Sequence, residues 1–171
     1  MPRPTPVEFG PILAMRPEEL SFRPDDPAFA DRVRGSFGRQ GLMATLGAEL
    51  AEVRPGYCEI RLPFREALSQ QHGFFHAGAT GAIADSAGGY AALSLMSAGD
   101  SVLSVEYKLN LLAPARGELL VARGQVVRAG RTLTISRADV AVRRDGVETL
   151  CATMLQTLMR LTARSDLPSP G

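Results

Sequence analysis

Residues 73–99 read GFFHAGATGAIADSAGGYAALSLMSAG, and this run decides the fold. Asp85 is its one formally charged residue. Its length and its paired small residues predict one long helix from about Ala77 to Ser97. A helix apolar on all sides is the buried centre of a domain or a membrane span. The span is rejected, because the run is rich in Gly and Ala rather than Leu and Ile, carries a carboxylate near its middle and is followed by no basic flank. Gly88-Gly89 costs such a helix about 1 kcal/mol per residue against Ala. Something is therefore expected to pack very close there.

Outward from the helix, toward the C-terminus, lie four strand candidates: Val102 to Leu111, Glu118 to Arg128, Thr132 to Arg143 and Val147 to Leu161. Pro114-Ala115-Arg116-Gly117, Ala129-Gly130 and Asp145-Gly146 join them, the last a strong short-hairpin signal. A curved antiparallel meander is expected. Alternation slips between Ile135 and Ala138, which reads as a bulge or as a strand buried on both faces. Toward the N-terminus, Leu46 to Val53 and Tyr57 to Phe64 read as a hairpin around Pro55-Gly56. In the second of these, Cys58, Ile60, Leu62 and Phe64 alternate against Glu59, Arg61 and Arg65. Before it, Asp25-Asp26-Pro27 opens a short helix with Phe29, Val33 and Phe37 at spacings of four, ended by Gly38 and Gly41.

This order is α+β, one long buried helix wrapped by a curved antiparallel sheet. Residues 25–162 form the domain, after a Pro-rich arm over 1–24 and before a polar tail over 163–171. Such a sheet leaves a strand unpaired at each edge, so a homodimer joining two sheets, or a dimer of such dimers, is expected.

The chain of 171 residues is 45% hydrophobic and 22% charged, the composition of a globular protein of one domain. A net charge of +1 gives no reason to expect a nucleic-acid or membrane partner. Cys58 and Cys151 fall in strand-like runs rather than a metal-type cluster and read as buried small hydrophobes in a cytoplasmic protein. No zinc spacing, P-loop or G-x-S-x-G elbow appears, so neither metal nor cofactor is expected.

Asp85 is the informative residue. An ionised, unpaired carboxylate in a buried helix costs several kcal/mol, and its segment supplies no Lys or Arg. It marks a functional candidate, unless it bonds to a core Ser or backbone group or reaches water at a seam. The approach, from Gln70 through His72-Gly73-Phe74-Phe75 to His76-Ala77-Gly78, brings a Gly turn to a helix N-terminus, whose free N–H groups suit developing negative charge. His76 alone reads more readily as a cap, and Phe74 and Phe75 as core or as a substrate wall.

His76-Ala77-Gly78 followed by Asp85 resembles the H-G-G-x6-D pattern of the PaaI-like thioesterases, the phenylacetate-degradation branch of the hotdog superfamily. His72-Gly73 matches the approach to that pattern. The resemblance runs roughly from Leu42 to Leu161 and takes in Leu103 to Asn110, Pro114 and Gly130-Arg131-Thr132-Leu133. It implies a hotdog fold and hydrolysis of a small or medium, aliphatic or aromatic, acyl-CoA.

Carried over by position, the resemblance makes Asp85 the general base or nucleophile and the Ala77 N–H the donor to the carbonyl oxygen, beside His76 and Gly78. Gln70, where many relatives have Asn, would orient the water or the carbonyl. Ser104 would assist the water. Arg128 and Arg131, flanking a sheet turn, are the nearest basic pair for the CoA phosphates, though exposed arginines commonly flank turns. Ala77 departs from the family's Gly but keeps its N–H.

Ala77 and Asp85 are eight residues apart, about 12 Å along a helix, so one thioester carbonyl cannot touch both within one chain. If both act on it, Asp85 comes from the facing helix of a second subunit, with Gly88-Gly89 marking the close approach. Two other readings remain open: a hotdog dehydratase pairing His76 with Asp85, and a non-catalytic acyl-CoA-binding module.

Overall fold

The computed structural model describes residues 21–164. Along the chain come α1 (Phe29–Gly38), α2 (Gly41–Leu46), β1 (Glu49–Arg54), β2 (Tyr57–Pro63), a 3-10 turn at Glu66–Leu68, α3 (Ala77–Leu93), β3 (Ser101–Leu111), β4 (Leu119–Ala129), β5 (Leu133–Arg144) and β6 (Val147–Leu161). The strands form one antiparallel sheet in the order β1-β2-β4-β5-β6-β3. α3 lies against this sheet and touches every strand of it. The arm over 1–24 and the tail over 163–171 lie largely outside the described residues. From the end of the arm, Phe22 packs over the Pro55-Gly56 turn, where a Cβ on Gly56 would meet its ring at 2.5 Å.

Alternation places the core. Ile60 and Leu62 of β2, Leu120 and Ala122 of β4, Val140 of β5, and Met154 and Leu158 of β6 point inward and close over Ile83, Ala87 and Ala91 of α3. Burying the larger of these side chains contributes roughly 1.5–3 kcal/mol each. At β4 the sheet meets the helix backbone to backbone: a Cβ on Gly124 would lie 2.3 Å from the Ala87 carbonyl.

Several boundaries differ from the sequence reading. β3 does not neighbour β4. It crosses the sheet to pair with β6, so only β4-β5-β6 is a meander and β3 becomes an edge. Strand-by-strand alternation carries no information on pairing partners, which is why the order escaped it. α3 stops at Leu93 rather than Ser97. There the Ser94 hydroxyl donates to Ala91 O (2.7 Å) and accepts from the Gly56 N–H (2.8 Å), and Arg32 donates to the Leu93 and Met96 carbonyls. A polar cap thus replaces another helical turn. Gly41 opens a second short helix, whose left-handed cap is Gly47 at φ 72°, so β1 begins at Glu49 instead of Leu46.

The slip between Ile135 and Ala138 has a different origin from either expected. On β5 the buried positions alternate through Thr134, Ser136, Ala138 and Val140, so two polar residues occupy the inner face. The bulge sits opposite, on β4 between Val126 and Arg128. Cys58 and Cys151 are buried free thiols, and burial pushes them up to about 12 and about 11.

Candidate active site

The site grows from the two ends of one sequence feature, the start of α3 and its middle. His76 is the N-cap residue, with extended backbone, and its Nδ1 accepts from the Gly78 N–H at 2.8 Å. The imidazole proton then sits on Nε2. A Cβ on Gly78 would come within 3.0 Å of that Nδ1, so glycine leaves room for the cap. The Ala79 and Thr80 N–H groups both donate to His76 O, at 3.0 and 3.2 Å. Of the first four N–H groups of the helix, the Ala77 N–H alone has no acceptor among the described residues. An unclaimed N–H at the positive end of a helix is a ready donor to an oxyanion.

The approach loop is fixed by backbone bonds. Phe75 N donates to Ala115 O at 3.0 Å, and His76 N to Leu68 O at 2.8 Å. Gly73, at φ 76°, closes the turn by donating to Gln70 O. The Gln70 side-chain oxygen accepts from the His72 N–H. Phe75 is buried edge-on against Phe64, with ring centroids 5.1 Å apart. Gln70, Phe74, Phe75 and Ala77 line a cleft of about 430 Å³ whose far wall is the segment from Leu111 to Ala115.

Asp85 lies two turns further along the helix in a second cleft, of about 460 Å³, with Arg39, Ser86, Gly89, Tyr90, Leu93 and Ser104. It is half-buried rather than enclosed. Its Oδ1 accepts from Ser104 Oγ at 2.7 Å and from Gln156 Nε2 at 3.0 Å. Both of these donors are neutral, and Arg39 lines the same cleft.

Of the glycine pair, Gly88 makes the close approach, and it does so to this chain's own sheet: a Cβ there would meet Gln156 Oε1 at 1.8 Å and Ser136 Oγ at 2.7 Å. Gly89 faces open space and lines the Asp85 cleft.

Within one chain, then, Gln70, Phe74, Phe75 and Ala77 share one cleft, while Asp85 and Ser104 share another. His76 and Gly78 stand exposed at the helix start. Arg128 and Arg131 line neither cleft; both are exposed, and neither has an ion-pair partner among the described residues. Gln156 escaped the sequence reading. Its signal was a polar residue at an inward position of β6, between Met154 and Leu158.

Chemically, the first cleft offers a hydrogen-bond donor to a carbonyl oxygen and the second a carboxylate able to take a proton from water or attack a carbonyl carbon. Comparison with known proteins identifies the family. Residues 72–150 match the model of the Thioesterase superfamily. A crystal structure of a thioesterase family protein from Silicibacter pomeroyi is 51% identical, covering 78% of this chain and 98% of that one at a TM-score of 0.77. A relative from Halobacterium salinarum, named a candidate esterase, is 30% identical over 110 residues, 61% of this chain and 72% of its own. The Escherichia coli PaaI protein, from the phenylacetic acid degradation operon, is 17% identical and shares the fold over 78% of this chain and 93% of its own, at a TM-score of 0.68. The chain therefore belongs to the thioesterase superfamily, is a thioester hydrolase and has the hotdog fold, which it shares with PaaI.

Proposed function

We propose that the protein hydrolyses small or medium acyl-CoA thioesters at a site shared by two copies of the chain. The observation that carries this reading is the separation of the unclaimed Ala77 N–H and the Asp85 carboxylate into two clefts of one chain. The exposed edge of the sheet supports it. β3 presents Leu103, Val105, Tyr107 and Leu111, each more than half exposed, beside Glu106 and Lys108 on a strand whose outer edge has no partner among the described residues, whereas the opposite edge, β1, carries Glu49, Glu52 and Arg54. A long apolar edge favours pairing with another strand, and charges discourage it. Ser104 lies on β3, so a β3-to-β3 dimer brings the two Asp85 clefts to the joint.

In this dimer the thioester carbonyl oxygen accepts from Ala77 of one subunit. Asp85 of the other takes a proton from water as the water oxygen bonds to the carbonyl carbon. Collapse of the oxyanion breaks the C–S bond, and the CoA sulfur leaves with that proton, giving free acid and CoA. Direct attack by Asp85, followed by hydrolysis of the anhydride, uses the same groups. Gln70 flanks the carbonyl, Phe74 and Phe75 wall the acyl group, whether ring or chain, and Arg128 and Arg131 meet the CoA phosphates.

The test is thiol release from a panel of acetyl-, hexanoyl-, decanoyl-, benzoyl- and phenylacetyl-CoA, beside 4-nitrophenyl esters. Turnover of at least one acyl-CoA well above the oxygen esters is expected. Turnover confined to oxygen esters contradicts the reading.

A further inference from the structure

We infer that Gln156 is a positioning residue for Asp85: it holds one carboxylate oxygen so that the other, Oδ2, is the reacting atom. The inference rests on the proposed role of Asp85. Gln156 is 1% exposed, on β6 beneath α3, and its Nε2 reaches both the Asp85 side chain (3.0 Å to Oδ1) and the Asp85 backbone carbonyl (3.3 Å). A carboxylate offers only acceptors, so the amide must present its NH2 group to it. Ser104 donates to the same Oδ1 from β3. Two donors from two strands converge on one oxygen, and Oδ2 has no partner among the described residues in a side chain that lines the cleft.

The opposite end of the amide shows that fold stability does not explain this residue. Gln156 Oε1 is buried with no partner among the described residues, as is Ser136 Oγ on its cross-strand neighbour in β5. A buried oxygen left unpaired destabilises the fold, and an apolar side chain of the same volume would avoid that cost. The helix gives up a side chain for the same arrangement, since at position 88 any Cβ would strike Gln156 Oε1. An unpaired amide oxygen and a mid-helix glycine are both unfavourable locally, and both follow from placing one N–H donor against Asp85. Local rules broken together around a reacting group are the pattern of a functional site.

Full-length Gln156→Met and Gln156→Leu remove the donor and the unpaired oxygen at nearly constant volume. Both are compared with wild type and Asp85→Asn for kcat and KM on the best thioester, and for Tm. A misplaced reacting group costs up to ~10²-fold in rate, so kcat is expected to fall about 10-fold or more with KM within about two-fold and Tm equal or higher. A purely structural Gln156 gives the reverse pattern, a lower Tm with kcat retained, and that result overturns the inference. If Asp85→Asn is inactive while both Gln156 variants keep wild-type kcat, the inference falls and the proposed function stands. If Asp85→Asn itself keeps wild-type turnover, the proposed function falls and takes the inference with it.

Discussion

Ala77 and Asp85 stand on one helix, two turns apart, and open into different clefts. The helix start supplies a donor with no acceptor of its own, and its middle supplies a carboxylate held at one oxygen. About 12 Å of helical rise separates them, so in the proposed reaction one carbonyl reaches both only across two helices.

Asp85→Asn keeps the side-chain shape and removes the charge. Loss of a positioned base or nucleophile costs at least about 10²-fold, so steady-state kcat on the best thioester should fall by that factor with the far-UV spectrum unchanged. Retention of near-wild-type kcat would show that Asp85 is not the reacting carboxylate.

Ala77→Pro isolates the oxyanion donor. Proline is well tolerated at the first helical position, and the preceding His76, at φ −68° and ψ 140°, already has the extended backbone that a following proline requires. The substitution removes an N–H that has no acceptor among the described residues. Removing one such donor costs about 10²–10³ in kcat, and Tm should stay within a few degrees of wild type. A variant with full kcat would move the oxyanion site elsewhere.

Arg128→Ala combined with Arg131→Ala tests the proposed CoA contact. Binding remote from the thioester is uniform between ground and transition state, so KM should rise and kcat hold. The effect should vanish on an N-acetylcysteamine thioester, which lacks the nucleotide. Equal losses on both substrates, or none on either, would remove these arginines from the binding surface.

Glu148 gives the fold a pH-dependent contribution. Hydrogen bonds from Arg123, at 2.7 and 3.1 Å, and from Arg143, at 2.7 Å, hold its carboxyl down at about 2 from its ordinary 4.5. A depressed carboxylate stabilises the fold fully above its unfolded value and loses that contribution as pH falls through its folded one. Tm of the wild type should therefore drop between pH 4.5 and pH 2 more steeply than that of Glu148→Gln. Parallel curves for the two proteins across that window would show the ion pairs to be idle.

Much of the fold was legible because burial imposes period. The helix start at Ala77, the hairpin at Pro55-Gly56 and the span of β6 from Val147 to Leu161 all follow from local pattern. The edge position of β3 did not, since pairing order depends on which inward faces meet. Asp85 stood out as a charge in an apolar helix. Gln156 did not, because a neutral polar residue on a strand is unremarkable until its neighbours across the sheet are known. Gly88 and Gly89 looked alike in the sequence, yet one packs against the sheet and the other faces a cleft, a difference of one step around the helix.

The shared site is tested most directly by mixing the two inactive variants. In a heterodimer of Ala77→Pro and Asp85→Asn, a site built from both subunits is doubly broken on one side and intact on the other. Random exchange of equal amounts, by co-refolding, makes half the dimers mixed, with one intact site in two, and should restore about a quarter of wild-type kcat. Activity no greater than the average of the two variants alone would place Ala77 and Asp85 in separate functions and contradict the shared site.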